Sequence, residues 1–100
     1  MSDYKGALVN FEAGARSNWH SHPRGQTLIV LSGEGRVQQE GEPQKTIKPG
    51  DVIWTPPGVK HWHGAAQDKP MSHVALQSPD ENGEVVNWMD SVTDEQYLSQ

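Results

Sequence analysis

Four of the chain's five histidines form two His-x-His pairs, His20/His22 and His61/His63. In an extended chain alternate side chains share a face, so each pair projects two imidazoles together. His73, Ala75 and Gln77 make a third set of common parity. Imidazole is the commonest side-chain ligand for borderline divalent metals. Two imidazoles from one strand and a third from another close one face of an ion, and the carboxamide oxygen of Gln26 can serve as a fourth ligand. Such a set leaves positions open for water or substrate, the pattern of a catalytic rather than a structural site. A single His-x-His pair fits solvated surface histidines as well as ligands, and Trp19 and Trp62, each beside a histidine, fit ordinary core. Two pairs on separate strands, framed by turns, shift the balance to a metal.

The elements that must position these residues are short strands. Ala7 to Phe11 reads as a first strand and Ser17 to His22 as a polar one. Gln26 to Leu31 is the strongest, β-branched and apolar on both faces. That pattern predicts a strand covered on both sides, by the interior and by another layer or subunit. Ser32 to Gly35 reads as a hairpin turn leading to a polar strand, Arg36 to Glu40. Gly41-Glu42-Pro43 and Pro49-Gly50-Asp51 are further turns, on either side of Lys45 to Ile47. Val52 to Thr55 ends at Pro56-Pro57-Gly58. His61 to His63 and Ser72 to Gln77 are the last strands. Turns every eight to twelve residues predict an antiparallel barrel or sandwich. Beyond Gly83 the pattern changes. Thr93 and Gln96 have the spacing of a helix capping box, so a short C-terminal helix or tail is expected on the outside.

Length and composition narrow the classes. One hundred residues with a mean hydropathy of -0.78 and four Trp fit one small β-domain with a modest core. Its stability is expected to be shared with a metal, a partner chain or both. The net charge of -5 and the absence of any Lys/Arg cluster argue against nucleic acid as a partner. No apolar run approaches a membrane span, and Met1 to Lys5 lacks a signal-peptide core, so a cytoplasmic location is expected. Without cysteine, disulfides, thiolate ligands and a thiol nucleophile are excluded.

At the histidines the chain resembles the cupin family. The first cupin motif spaces a glycine, His-x-His, a glutamate and a second glycine as Gly14, His20-Ser21-His22, Gln26 and Gly33 stand here, with Gln26 in place of Glu. The second motif is matched by Gly50, Pro56-Pro57-Gly58 and His61, with Ala65 where the family has a structural Asn. A closer resemblance runs from Phe11 through Trp19 to Val30, through Lys60 to Ala66, and through Asn87-Trp88-Met89 and Val92 to Tyr97. It is to the small single-domain bacterial manganese cupins that include the cupin-type hydroxynitrile lyases. It implies an all-β, jelly-roll β-barrel over residues 1–100, with motif 1 at 14–33, motif 2 at 50–65 and a C-terminal tail at 84–100. It further implies one divalent metal per chain on His20, His22, Gln26 and His61. Beside the metal it places Ser17, His63, His73 and Gln77 as catalytic groups. The activity implied is reversible cleavage of small α-hydroxynitriles into an aldehyde and cyanide.

The donor set bears on that activity. Three neutral imidazoles and a neutral carboxamide leave an ion's full charge to stabilise an anion. A redox-cycling iron oxygenase more often uses a carboxylate, so Gln26 favours a lyase over a metal-dependent dioxygenase or isomerase. The proton-transfer groups His63 and His73 with Gln77 weigh against a non-catalytic small-molecule binder. Mn²⁺ is the first expectation for the ion, with Fe, Zn, Ni or Co also fitting. Val9, Trp54 and Trp62 are expected to wall an apolar pocket. The two-faced strand at Gln26 to Leu31 predicts a homodimer.

Overall fold

The computed structural model describes residues 5–99; Met1 to Tyr4, within the stretch read above against a signal-peptide core, and Gln100 lie outside the described residues. The strands are β1 (Lys5–Phe11), β2 (His20–Ser21), β3 (Gln26–Gly33), β4 (Gly35–Gln39), β5 (Lys45–Ile47), β6 (Val52–Thr55), β7 (His61–Ala65), β8 (Met71–Gln77) and β9 (Asn87–Trp88), followed by helix α1 (Asp94–Leu98). They form two antiparallel sheets, ordered β1-β8-β3-β6 and β5-β4-β7-β2-β9. Val30 of β3, Val37 of β4, Ile47 of β5, Ala65 of β7 and Met71 of β8 pack as one buried cluster with Phe11 and Ile53. The first core therefore lies between the two sheets, as in a jelly-roll barrel.

Two expectations need correction. Ser32 to Gly35 is no hairpin: β3 and β4 belong to different sheets, and the chain turns a corner there. The register of β3 against β8 shifts between Val30 and Ser32. Gly33 adopts φ +79°, and a Cβ at that position would collide with the Pro70 carbonyl. The predicted strand over Ser17 to His22 contracts to His20–Ser21, with Arg16 making only an isolated bridge to Gly64. Within the single chain the interior covers one face of β3, and no further layer among the described residues covers the other. Gln26, Leu28 and Val30 are buried, whereas Thr27 and Ile29 are half-buried and Leu31 is exposed.

The tail is more than an external appendage. The Thr93 side chain accepts from the Gln96 amide, and the Gln96 side chain accepts from Thr93 N–H, closing the expected capping box. α1 packs Tyr97 into a second core with Trp19, Trp62 and Val92. The Tyr97 hydroxyl donates to Ala65 O of β7 at 2.7 Å, and Arg16 and Arg36 both lie over its ring. Arg16 also donates to Val92 O at 2.9 Å and pairs with Asp94. Tyr97→Ala should cost about 3 kcal/mol of stability through the cavity it leaves. Tyr97→Phe, which loses only the hydroxyl's bond, should cost about 1 kcal/mol. Urea unfolding of the two variants checks both values, and equal losses would show that the ring contributes nothing beyond its hydroxyl.

Candidate metal centre

His20 on β2 sits opposite His61 on β7 in the sheet register, and strand parity turns His22 and His63 to the same interior. All four are buried, as are Gln26 and His73. The ring of His20 lies 4.3 Å from that of His61 and 5.0 Å from that of His22, centroid to centroid. One ring nitrogen from each of His20, His22 and His61 lies within 4.8 Å of the others.

The other ring nitrogens explain how this crowd is oriented. Nδ1 of His20 contacts Asn18 O at 2.8 Å, Nδ1 of His22 contacts Val85 O at 2.7 Å, and Nδ1 of His61 contacts Val59 O at 3.0 Å. A carbonyl oxygen only accepts, so each Nδ1 must carry the proton and donate it. In the neutral rings every Nε2 is then a lone pair. Gln26 Nε2 donates to Gln77 Oε1 at 3.0 Å, which turns Gln26 Oε1 toward His61 Nε2, 3.4 Å away. Two lone-pair acceptors facing each other, with the buried His22 Nε2 lacking any partner, are mutually unfavourable unless something positive stands among them.

A proton is a poor candidate for that role. Burial pushes the pKa of His20 down to about 3 and that of His61 to about 4, with neighbouring histidines adding to the effect. Burial also lowers His22 below its usual value. A divalent cation fits: it takes lone pairs, needs neutral imidazole, and is oriented by histidines whose second nitrogen bonds a carbonyl. These four residues could therefore hold one.

The remaining predicted residues line the same cavity, which has a volume of about 570 Å³. His63 and His73 meet edge to face at 4.9 Å beside Phe11. His63 Nδ1 and both ring nitrogens of His73 have no partner, and burial holds both imidazoles below the usual range and therefore neutral. Ser17 donates to Asn18 O at 2.9 Å and accepts from His63 N–H at 3.2 Å. Gln77 stands at the wall against Gln26.

The apolar wall differs from expectation. Val9 belongs to it, but Trp54 and Trp62 do not. Trp62 alternates with His61 and His63 and so points to the opposite face, into the second core; its Nε1–H donates to Gln38 Oε1 at 2.9 Å. Trp54 is 54% exposed on the outer face of β6. Ala7, Phe11, Ala75, Val86 and Trp88 supply the wall instead. The Trp88 ring lies 4.9 Å from that of His20, on the unanticipated β9, which pairs with β2. No Asp, Glu, Lys or Arg lines the cavity among the described residues.

A family model described as a cupin domain matches residues 7–76. The chain belongs to the cupin family. Among its relatives, the protein named (R)-mandelonitrile lyase of Granulicella tundricola is 56% identical over 92 residues, spanning 92% of this chain and 70% of that protein. A dimethylsulfoniopropionate lyase of Ruegeria pomeroyi is 33% identical over 69 residues, which cover 34% of that longer protein. The crystal structure of a cupin-like protein from Thermotoga maritima superposes with a TM-score of 0.88 at 46% identity, over 94% of this chain and 70% of that one.

The buried neutral histidines give this cupin an acid limit. An imidazole whose folded pKa is depressed is protonated preferentially in the unfolded chain. Its penalty is absent above the ordinary imidazole value of 6.5 and grows as pH falls from there toward the folded values, about 4 for His61 and about 3 for His20. Each such group contributes a limiting slope of about 1.4 kcal/mol per pH unit. Metal-free protein should therefore unfold at a lower urea concentration at pH 5.5 than at pH 7.5. Equal midpoints would mean that the imidazoles protonate as readily inside the fold as outside it.

Proposed function

We propose that this cupin is a metal-dependent lyase that splits small α-hydroxynitriles into an aldehyde and cyanide. The observation that carries the reading is the convergence of three carbonyl-anchored imidazoles and the Gln26 oxygen beside a cavity that no charged side chain lines among the described residues. The ion is proposed to sit on His20, His22, Gln26 and His61, one per chain, with Mn²⁺ the first choice for an imidazole-and-oxygen set. When bound, a divalent cation supplies Lewis acidity for negative charge developing on the substrate. The 56% identity to a mandelonitrile lyase supports the substrate class.

His63 and His73 are proposed to move the proton. The hydroxyl proton passes to a free imidazole nitrogen, and the C–O bond becomes a carbonyl. The bond to the nitrile carbon breaks with its electron pair leaving on cyanide. The imidazolium then returns the proton to cyanide, so aldehyde and hydrogen cyanide depart and the neutral imidazole is restored. Ser17 and the Nε2 of Gln77 stand at the wall as groups to orient cyanide. Ala7, Val9, Phe11 and Trp88 offer an apolar, partly aromatic surface to the aldehyde's substituent. The same wall disfavours a zwitterion such as dimethylsulfoniopropionate, for which it holds no charged partner.

Metal-free protein should be inactive and regain cyanide release from an aromatic hydroxynitrile on addition of Mn²⁺. His61→Ala should lose the metal. His73→Ala should keep it and lose turnover about a hundredfold. Elemental analysis beside a cyanide assay reads both, and full turnover by metal-free protein or by both histidine variants would overturn the reading.

The proposal extends to a homodimer. On the outer face of the four-stranded sheet Leu8, Val74, Ile29 and Val52 align as one cross-strand row. Leu76, Thr27 and Trp54 form the next. Leu8, Leu31, Val52 and Trp54 are each more than half exposed. A second copy covering this face accounts for a strand apolar on both sides. Light scattering at micromolar concentration should give twice the mass of the chain, and Ile29→Asp should return the mass of one chain.

A further inference from the structure

We propose that Gln77 is a positioning residue that decides which end of the Gln26 carboxamide faces the histidines. A carboxamide has two ends of similar shape and opposite character. Its oxygen can ligate a cation; its NH₂ cannot, and would repel one. Nothing in the Gln26 side chain itself chooses between the two orientations. Gln77 is a carboxamide too, so the choice belongs to the pair: in this structure Gln77 presents its oxygen and thereby holds the Gln26 nitrogen. Gln26 and Gln77 lie one residue beyond the Thr27–Leu76 pair on adjoining strands β3 and β8, and Gln77 Oε1 accepts from Gln26 Nε2 at 3.0 Å. With the nitrogen held there, the oxygen is left 3.4 Å from His61 Nε2.

The consequence depends on the acceptor rather than on the side chain's bulk. Replacing Gln77 by Met keeps length and removes the acceptor. Gln26 is then free to turn its NH₂ toward His22 Nε2 and His61 Nε2, both of which accept. The site would satisfy itself internally and have to be reopened by an incoming ion. Replacing Gln77 by Glu keeps an acceptor at the same reach and preserves the orientation.

The assignment rests on the proposed metal site, and the test separates the two. Metal-free wild type, Gln77→Met and Gln77→Glu are titrated calorimetrically with Mn²⁺, with unfolding midpoints of the metal-free forms measured alongside. Gln77→Met should bind about tenfold more weakly, the usual cost of losing a group that orients a ligand. Gln77→Glu should bind within about threefold of wild type, or more tightly because of its added charge. A side chain that merely packs would give the reverse order, since Met resembles Gln in shape and Glu buries a charge. Unchanged affinity in Gln77→Met, or a tenfold loss in Gln77→Glu, would overturn the role of Gln77. Should Gln77→Met fail to fold, the Gln77→Glu result still decides. No binding by wild type would instead overturn the metal site itself.

Discussion

A ring nitrogen presents a lone pair to its surroundings only while the ring's other nitrogen keeps the proton, and three backbone carbonyls impose that condition on His20, His22 and His61. Two of the carbonyls are local. Asn18 and Val59 each lie two residues before their histidine, where the chain enters β2 and β7. The third, Val85, is 63 residues from His22. For that carbonyl to reach Nδ1 of His22, the chain must complete the whole barrel and return along β2. The pairing of Asn87–Trp88 with His20–Ser21 makes the return. The bonds between Trp19 and the backbone of Met89 and Asp90 extend it. The C-terminal segment thus acts on the site as well as on the second core, and its two tasks are continuous in the chain.

Local spacing explains how much of this was legible in the sequence. The two His-x-His pairs and Gln26 follow from strand parity and from turns whose residues are close in the chain, so their convergence could be read without knowing the fold. The fold departs from the sequence reading chiefly where the deciding contact is distant. Ser32 to Gly35 carries every mark of a turn, but turn residues do not say which sheet the next strand joins. At this corner the chain passes so close to the distant Pro70 carbonyl that Gly33 has no room for a Cβ, and Glu34 N–H donates to that carbonyl. β9 is two residues long and owes its existence to the free edge of β2, which no local propensity encodes. Strand parity decides the two tryptophans locally: the alternation that turns His61 and His63 to the cavity sends Trp62 to the opposite face and the second core, and Trp54 alternates with the buried Thr55. The wall residues Ala7 and Ala75 are too small to draw notice in a sequence, although their smallness is what leaves the cavity its room.

The replacement of the family's glutamate by Gln26 has two physical consequences that pull in different directions. A carboxylate would cancel part of a dication's charge. In a cavity that no charged side chain lines among the described residues, that charge acts at short range through a medium less screening than water. The neutral set of three imidazoles and one amide keeps the field at full strength, which suits chemistry that develops an anion. A carboxylate, however, has two equivalent oxygens and needs no help in presenting one. An amide offers one useful end and one harmful end, and neighbouring imidazole lone pairs attract the harmful one. A neutral donor set therefore transfers the burden of orientation to the next residue out. The β3–β8 register, which sets an amide acceptor beside Gln26, becomes as much a part of the site as the four residues that would touch the ion.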